Sequence, residues 1–133
     1  MQYIILCFLC VYRCVSNTDI SPFIENLPSA ANIEPANFST QSASGSTSQA
    51  ANTIEAIEAG ATLLLVDEDT SAGNFMIRDS RMRSMIANET ITPFIYRVNG
   101  LWESLKISTV VVVGGCGDWF DVQTHTVIYI IAF

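Results

Sequence analysis

Asp67, Glu68 and Asp69 stand together in ATLLLVDEDTSAGNF, residues 61–75, directly after an apolar run. Adjacent carboxylates can divide a hydrolytic task. One holds a divalent cation, directly or through water, while its neighbour orients or deprotonates an attacking water. Carboxylates buried without partners are costly, so three at the end of a strand-like run need either a countercharge or a use. A second segment with chemical potential is the hydroxyl-rich SASGSTSQ, residues 42–49. By composition alone its start reads as a flexible Ser-rich linker.

The elements that must position these groups are legible in outline. Thr62 to Val66 is a short continuous apolar run, the pattern of a central parallel strand covered on both faces. Upstream, Ala50, Ile54 and Ile57 share a helical face, with Ser46 or Thr47 as the cap and Gly60 just past the helix end. Downstream, Phe75 to Ala87 reads as a helix. Thr92-Pro93 opens another, expected to turn Phe94, Ile95, Val98, Leu101, Trp102 and Leu105 towards the core. Ser108 to Val113 reads as a further buried strand ending at Gly114-Gly115, and Thr126 to Ile131 as a last one. Residues 16–38, with three prolines, read as irregular. Strands separated by helical segments predict an α/β fold with a mostly parallel sheet and flanking helices. In such open sheets ligands collect at the carboxyl ends of the strands, where Asp67 and Glu68 fall.

Composition narrows the function. The chain has 133 residues, enough for one domain, and a formal net charge of −7. Nucleic-acid binding calls for clustered Lys and Arg, and the only basic cluster, Arg78, Arg81 and Arg83, is explained by a solvated helix face. Cys7, Cys10 and Cys14 are spaced C-x-x-C-x-x-x-C inside an apolar run without a clear fourth ligand, and Cys116 stands apart. They read as incidental apolar cysteines in a reducing compartment. The N-terminal run is too short to span a bilayer and lacks a basic start. Together with the sequons at Asn37 and Asn88 it still supports an alternative reading, a small secreted glycoprotein.

An apolar strand ending in Asp-Glu has the form of a Walker B element. The segments DISPFIENLP, SASGSTSQAANTIEAIEAGA, LLLVDEDTSAGNFMIRDSRM, ITPFIYRV and STVVVVGGCGDWFDV make the chain resemble the ATP-binding cassette (ABC) ATPases. More closely, it resembles the predicted ATPases of the ABC class. In ABC domains a signature loop opens the helix that precedes the Walker B strand. Laid on this chain, that loop becomes Ala43-Ser44-Gly45-Ser46-Thr47, and Ser44 to Asp67 spans 67 − 44 = 23 positions, the spacing of the general pattern.

The resemblance implies a role for each of these residues. Ser44, Gly45, Ser46 and Thr47 would contact the γ-phosphate of ATP held by an opposing subunit. Asp67 would position Mg²⁺, Glu68 would act as general base, and Asn74 would belong to the D-loop at a head-to-tail dimer interface. It further implies a cytoplasmic ATPase that uses Mg²⁺ with ATP. Two departures stand out. Gly115 falls where transporter ATPases carry a switch His, and the lone His125 reads as a surface or structural residue. A Gly-x-x-x-x-Gly-Lys-Ser/Thr P-loop is absent from the 133 residues, whose single Lys is Lys106. The expectation is therefore an apolar segment, 1–18, outside the resemblance, followed by the C-terminal part of an ABC-type P-loop NTPase core, 19–133. Alone it would be inactive or weak. The alternative within the same resemblance is a non-catalytic module that donates its signature loop to a P-loop-containing partner.

Overall fold

The computed structural model describes residues 13–25, 33–86 and 88–128. In chain order these form β1 (Arg13–Thr18), a 3-10 turn (Pro35–Asn37), β2 (Phe38–Ala43), α1 (Gly45–Glu58), β3 (Leu63–Asp67) and α2 (Gly73–Met76). There follow α3 (Ser80–Met85), a 3-10 turn (Phe94–Tyr96), α4 (Val98–Leu105), β4 (Ser108–Val112) and a 3-10 turn (Gly117–Asp121). The fold is α/β with a small parallel sheet. β3 and β4 pair in register from Leu63↔Ser108 to Asp67↔Val112.

The expected mostly parallel sheet is one parallel pair beside a separate antiparallel pair, β1 with β2. Sequence reading assigned no strand to either segment. Ser and Thr in β2 masked its extended character, and the pairing register is irregular on both sides of Val15. Asn17 takes up part of that irregularity with φ 50, a conformation Asn tolerates because its short polar side chain can bond locally. Its backbone N–H donates to Ser39 Oγ at 2.9 Å.

The core lies between α1, β3 and the segments around Phe23, Phe75 and Phe94. These three rings meet with centroids 5.2, 5.7 and 6.3 Å apart, in the range of favourable aromatic contacts. Gly60 has φ +86 immediately beyond the α1 C-cap, Ala59, as expected for a glycine helix stop.

Four expectations need correction. The α1 cap is Ser44, earlier than Ser46 or Thr47, because the helix extends through the hydroxyl-rich stretch. The helix read over 75–87 is two short ones. Ile77 is extended, and Asp79 starts α3 by accepting N–H bonds from Arg81 and Met82. The helix after Pro93 begins as a 3-10 turn and becomes α-helical only at Val98. Trp102 and Leu105 are exposed, while Phe94, Ile95 and Leu101 are buried. Finally β4 is a strand but not a buried one: Val110 and Val112 face outward. Of the last expected strand, residues 126–128 are not extended into a sheet, and the rest lies outside the described residues, as do Cys7 and Cys10.

Candidate functional site

Two groups of predicted residues take shape at different places. The first is at the N-terminus of α1. Ser44 Oγ accepts the N–H of Thr47 at 3.2 Å and shares hydrogen bonds with Thr47 Oγ1 at 2.8 Å and Ser46 Oγ at 3.2 Å. Asn74 Nδ2 donates to Ser46 Oγ at 3.3 Å, so four predicted residues from two helices converge. Gly45 opens the helix. A Cβ there would meet only Ala72 Cβ at an ordinary 3.8 Å, so the chain's own packing does not demand the missing side chain. A groove of ≈ 330 Å³ opens beside these hydroxyls over Ile20, Ile24, Phe38 and Ile91, with no charged residue in its lining among the described residues.

Sequence reasoning missed the residue that holds this group to the rest of the site. Gln49 is 3% exposed, and its Oε1 accepts the N–H of Ala72 at 2.8 Å, across from α1 to the loop that follows β3. Its amide nitrogen lies 3.8 Å from Met76 Sδ. The available signal was a Gln inside the helix one turn before Thr53, whose hydroxyl donates to the Gln49 carbonyl at 2.9 Å. An amide at an inward position of a helix needs a partner.

The second group sits at the carboxyl end of β3. Asp67 is half-buried and its carboxylate organises the turn, with Oδ1 accepting the Asp69 N–H at 3.2 Å and Oδ2 the Thr70 hydroxyl at 3.1 Å. Ser71 Oγ donates to the Asp67 carbonyl at 2.6 Å. Glu68 is placed by its backbone, whose N–H donates to the Val112 carbonyl at 3.0 Å and so extends the β3–β4 ladder by one residue. The Asp69 carboxylate lies against Gly114. A Cβ on Gly114 would stand 3.2–3.3 Å from its oxygens, whereas one on Gly115 would meet nothing within 4 Å. Gly114 thus leaves room for a carboxylate, while the position matched to a switch His is open.

Cys116 completes this end, with Sγ donating to Asp118 Oδ2 at 3.3 Å. Burial pushes its thiol above the ordinary range, and the charges of Asp118 and Glu68 push the same way against a backbone bond from Asp118. His125 is exposed and shares a hydrogen bond with the neighbouring Thr124, matching the surface reading. Arg78 pairs with Glu89 at 3.0 Å, and Arg83 donates to Tyr96 Oη while stacking over its ring. The Arg cluster is therefore dispersed rather than gathered into a basic patch.

Ser44, Ser46, Thr47 and Asn74 are brought together. Asp67 and Glu68 form a separate group, linked to the first through residues 71–72 and Gln49. Among the described residues no group of three or more His, Cys, Asp and Glu is arranged to hold a metal by itself. Mg²⁺ nevertheless needs only one or two protein carboxylates when phosphates and waters complete its shell, and half-buried Asp67 at a strand end fits that share.

The family model for the ABC_ATPase P-loop domain matches residues 11–133. The chain belongs to the ABC_ATPase family. A comparison with curated proteins gives no match. An ABC_ATPase P-loop domain is a nucleotide-hydrolase scaffold. Among the described residues no helix is long and apolar enough to cross a membrane.

Proposed function

We infer that this chain forms the signature-loop and Walker B part of an ABC-class ATPase, cytoplasmic and working across a head-to-tail pair. The observation that carries the reading is the register Asp67↔Val112, continued by Glu68. It fixes two adjacent carboxylates at the carboxyl end of a parallel pair.

In this reading Asp67 holds Mg²⁺, which when bound supplies charge neutralisation on the phosphates. Glu68 accepts the proton of the water that attacks the γ-phosphorus as the bond to the ADP oxygen breaks. Ser44, Ser46 and Thr47, with the positive end of the 14-residue α1 behind them, meet the γ-phosphate of ATP held by the opposing subunit. Gly45 keeps that approach open, which accounts for a glycine that the chain's own packing does not require. Asn74 bonded to Ser46 couples the D-loop to the same hydroxyls.

Because Gly-x-x-x-x-Gly-Lys-Ser/Thr is not among the 133 residues, the chain alone hydrolyses ATP very weakly. Equilibrium titration with Mg-ATP tests this first. Weak binding, reduced further by Asp67→Ala, is the expected result; micromolar binding indifferent to Asp67→Ala would remove Asp67 from the metal role. With a P-loop supplied, Glu68→Gln should lower turnover by about 10²–10⁴-fold, the usual cost of losing a general base. Unchanged turnover would take Glu68 out of the mechanism.

A further inference from the structure

The turn after β3 does more to the Asp67 carboxylate than end a strand. Asp67 leaves the ladder opposite Val112, and the Ser71 N–H donates to the Glu68 carbonyl at 3.1 Å, closing a tight turn through Asp69 and Thr70. Inside that turn each carboxylate oxygen of Asp67 receives one bond. Oδ1 accepts the Asp69 N–H at 3.2 Å, and Oδ2 accepts the Thr70 hydroxyl at 3.1 Å.

The Thr70 hydroxyl has a second acceptor within reach, the Asp67 carbonyl at 3.4 Å. A hydroxyl carries a single proton to donate, so the two acceptors compete for it. Ser71 settles the competition. Its Oγ donates to that same carbonyl at 2.6 Å, which leaves the nearer carboxylate oxygen for Thr70. Two neighbouring hydroxyls are thus divided between the carbonyl and the carboxylate of one residue.

The consequence is orientation. The last torsion of an Asp side chain is broad, so a carboxylate bonded at one oxygen still swings. Bonded at both, it keeps its plane. An ionised carboxylate has about four lone-pair sites, and two accepted bonds leave capacity on each oxygen. Mg²⁺ uses only one or two protein carboxylates and demands near-ideal geometry, so it selects a carboxylate already held in place. The bond from Asp69 comes from backbone and survives side-chain replacement, whereas the bond from Thr70 does not. We propose that Thr70 is a positioning residue for the metal, its hydroxyl fixing the Asp67 carboxylate that takes Mg²⁺. The metal role of Asp67 is taken from the ATPase reading, which this positioning role deepens.

The probe is Mn²⁺ alone, without nucleotide, titrated into the whole chain, because Mn²⁺ accepts the same oxygen donors as Mg²⁺. Its unpaired electrons broaden nearby amide signals, read by NMR at Glu68 and Thr70. Saturable broadening, reversed by excess Mg²⁺ and lost in Asp67→Asn, is expected. Thr70→Val, which exchanges the hydroxyl for a methyl, should weaken Mn²⁺ binding about tenfold or more, the usual cost of losing a partner that orients a metal ligand. Thr70→Ser, which restores the donor, should bind close to the unaltered chain. Thr70 is exposed, so the urea midpoint should stay the same across these variants; Thr70→Ala is the second variant should Thr70→Val not fold. A merely structural hydroxyl would move the midpoint and leave the affinity. Thr70→Val that binds Mn²⁺ as well as or better than the unaltered chain, or Thr70→Ser as weak as Thr70→Val, overturns the proposal. If Asp67→Asn loses the ion while Thr70→Val does not, the ATPase reading stands and the positioning role falls. Binding unaffected by Asp67→Asn, or no broadening at this turn in the unaltered chain, removes the metal role of Asp67 and the positioning role with it.

Discussion

The two ends of the site are built on opposite plans. At the N-terminus of α1, Ser44, Ser46 and Thr47 bond one another and Asn74, and buried Gln49 ties the helix to the loop after β3. The hydroxyls of Ser44, Ser46 and Thr47 are satisfied there, while the buried Ser48 Oγ has no hydrogen-bond partner among the described residues. At the carboxyl end of β3 and β4, Asp67 organises its own turn, Asp69 is exposed, and the flanking β4 face is apolar and open. The contrast is between hydroxyls bonded to one another and carboxylates gathered beside an exposed apolar face. A hydrogen-bonded cap contributes to stability, whereas gathered like charges cost stability.

That comparison can be broken by substitution. The largest effect is expected at Gln49. Gln49→Leu leaves the Ala72 N–H without its acceptor in a partly buried setting, a loss of about 1–3 kcal/mol in urea unfolding. Faster exchange of the Ala72 amide should accompany it, and an unchanged midpoint would mean the two ends are not joined there. Ser44→Ala comes next, removing the α1 cap at a cost of about 0.5–2 kcal/mol, with Ser44→Asp retaining most of the stability because Asp also caps well. Equal losses from Ala and Asp would show that the hydroxyl network, rather than the cap, carries the effect. Smallest is Asp69→Ala. As an exposed member of an acidic turn it should change stability by no more than about 0.5 kcal/mol, in either direction. A loss as large as that at Gln49 would erase the distinction between the ends.

How much could be read beforehand follows the same division. β3 was legible because five consecutive apolar or small residues have no other comfortable environment, and Gly60 because a left-handed turn after a helix selects glycine. Asp67, Glu68 and the hydroxyls were legible as residue types at a spacing. What they touch was not. The Ser-rich stretch reads as a linker by composition, yet becomes strand and helix because β1 pairs with its first half and Gln49 bonds Ala72, partners distant in sequence. The break at Ile77 was missed, although Asp79 is a residue type that caps a new helix. β4 shows the limit of pattern reading. A run of valines identifies a strand, and only its neighbours determine whether both faces are covered.

The pairing of β3 with β4 also sets an order of events. Joining Leu63 to Ser108 closes a loop of 108 − 63 = 45 residues. The length-dependent part of that closure costs roughly 3 kcal/mol of chain entropy before any register bond forms. On a ribosome adding ~5–20 residues per second, β3 leaves the peptidyl-transfer centre some 2–9 s ahead of its partner strand. Through that interval the apolar strand that carries the acidic pair lacks the one strand it pairs with among the described residues. Until β4 arrives, the backbone groups of Leu63 to Asp67 have no ladder to join among the described residues.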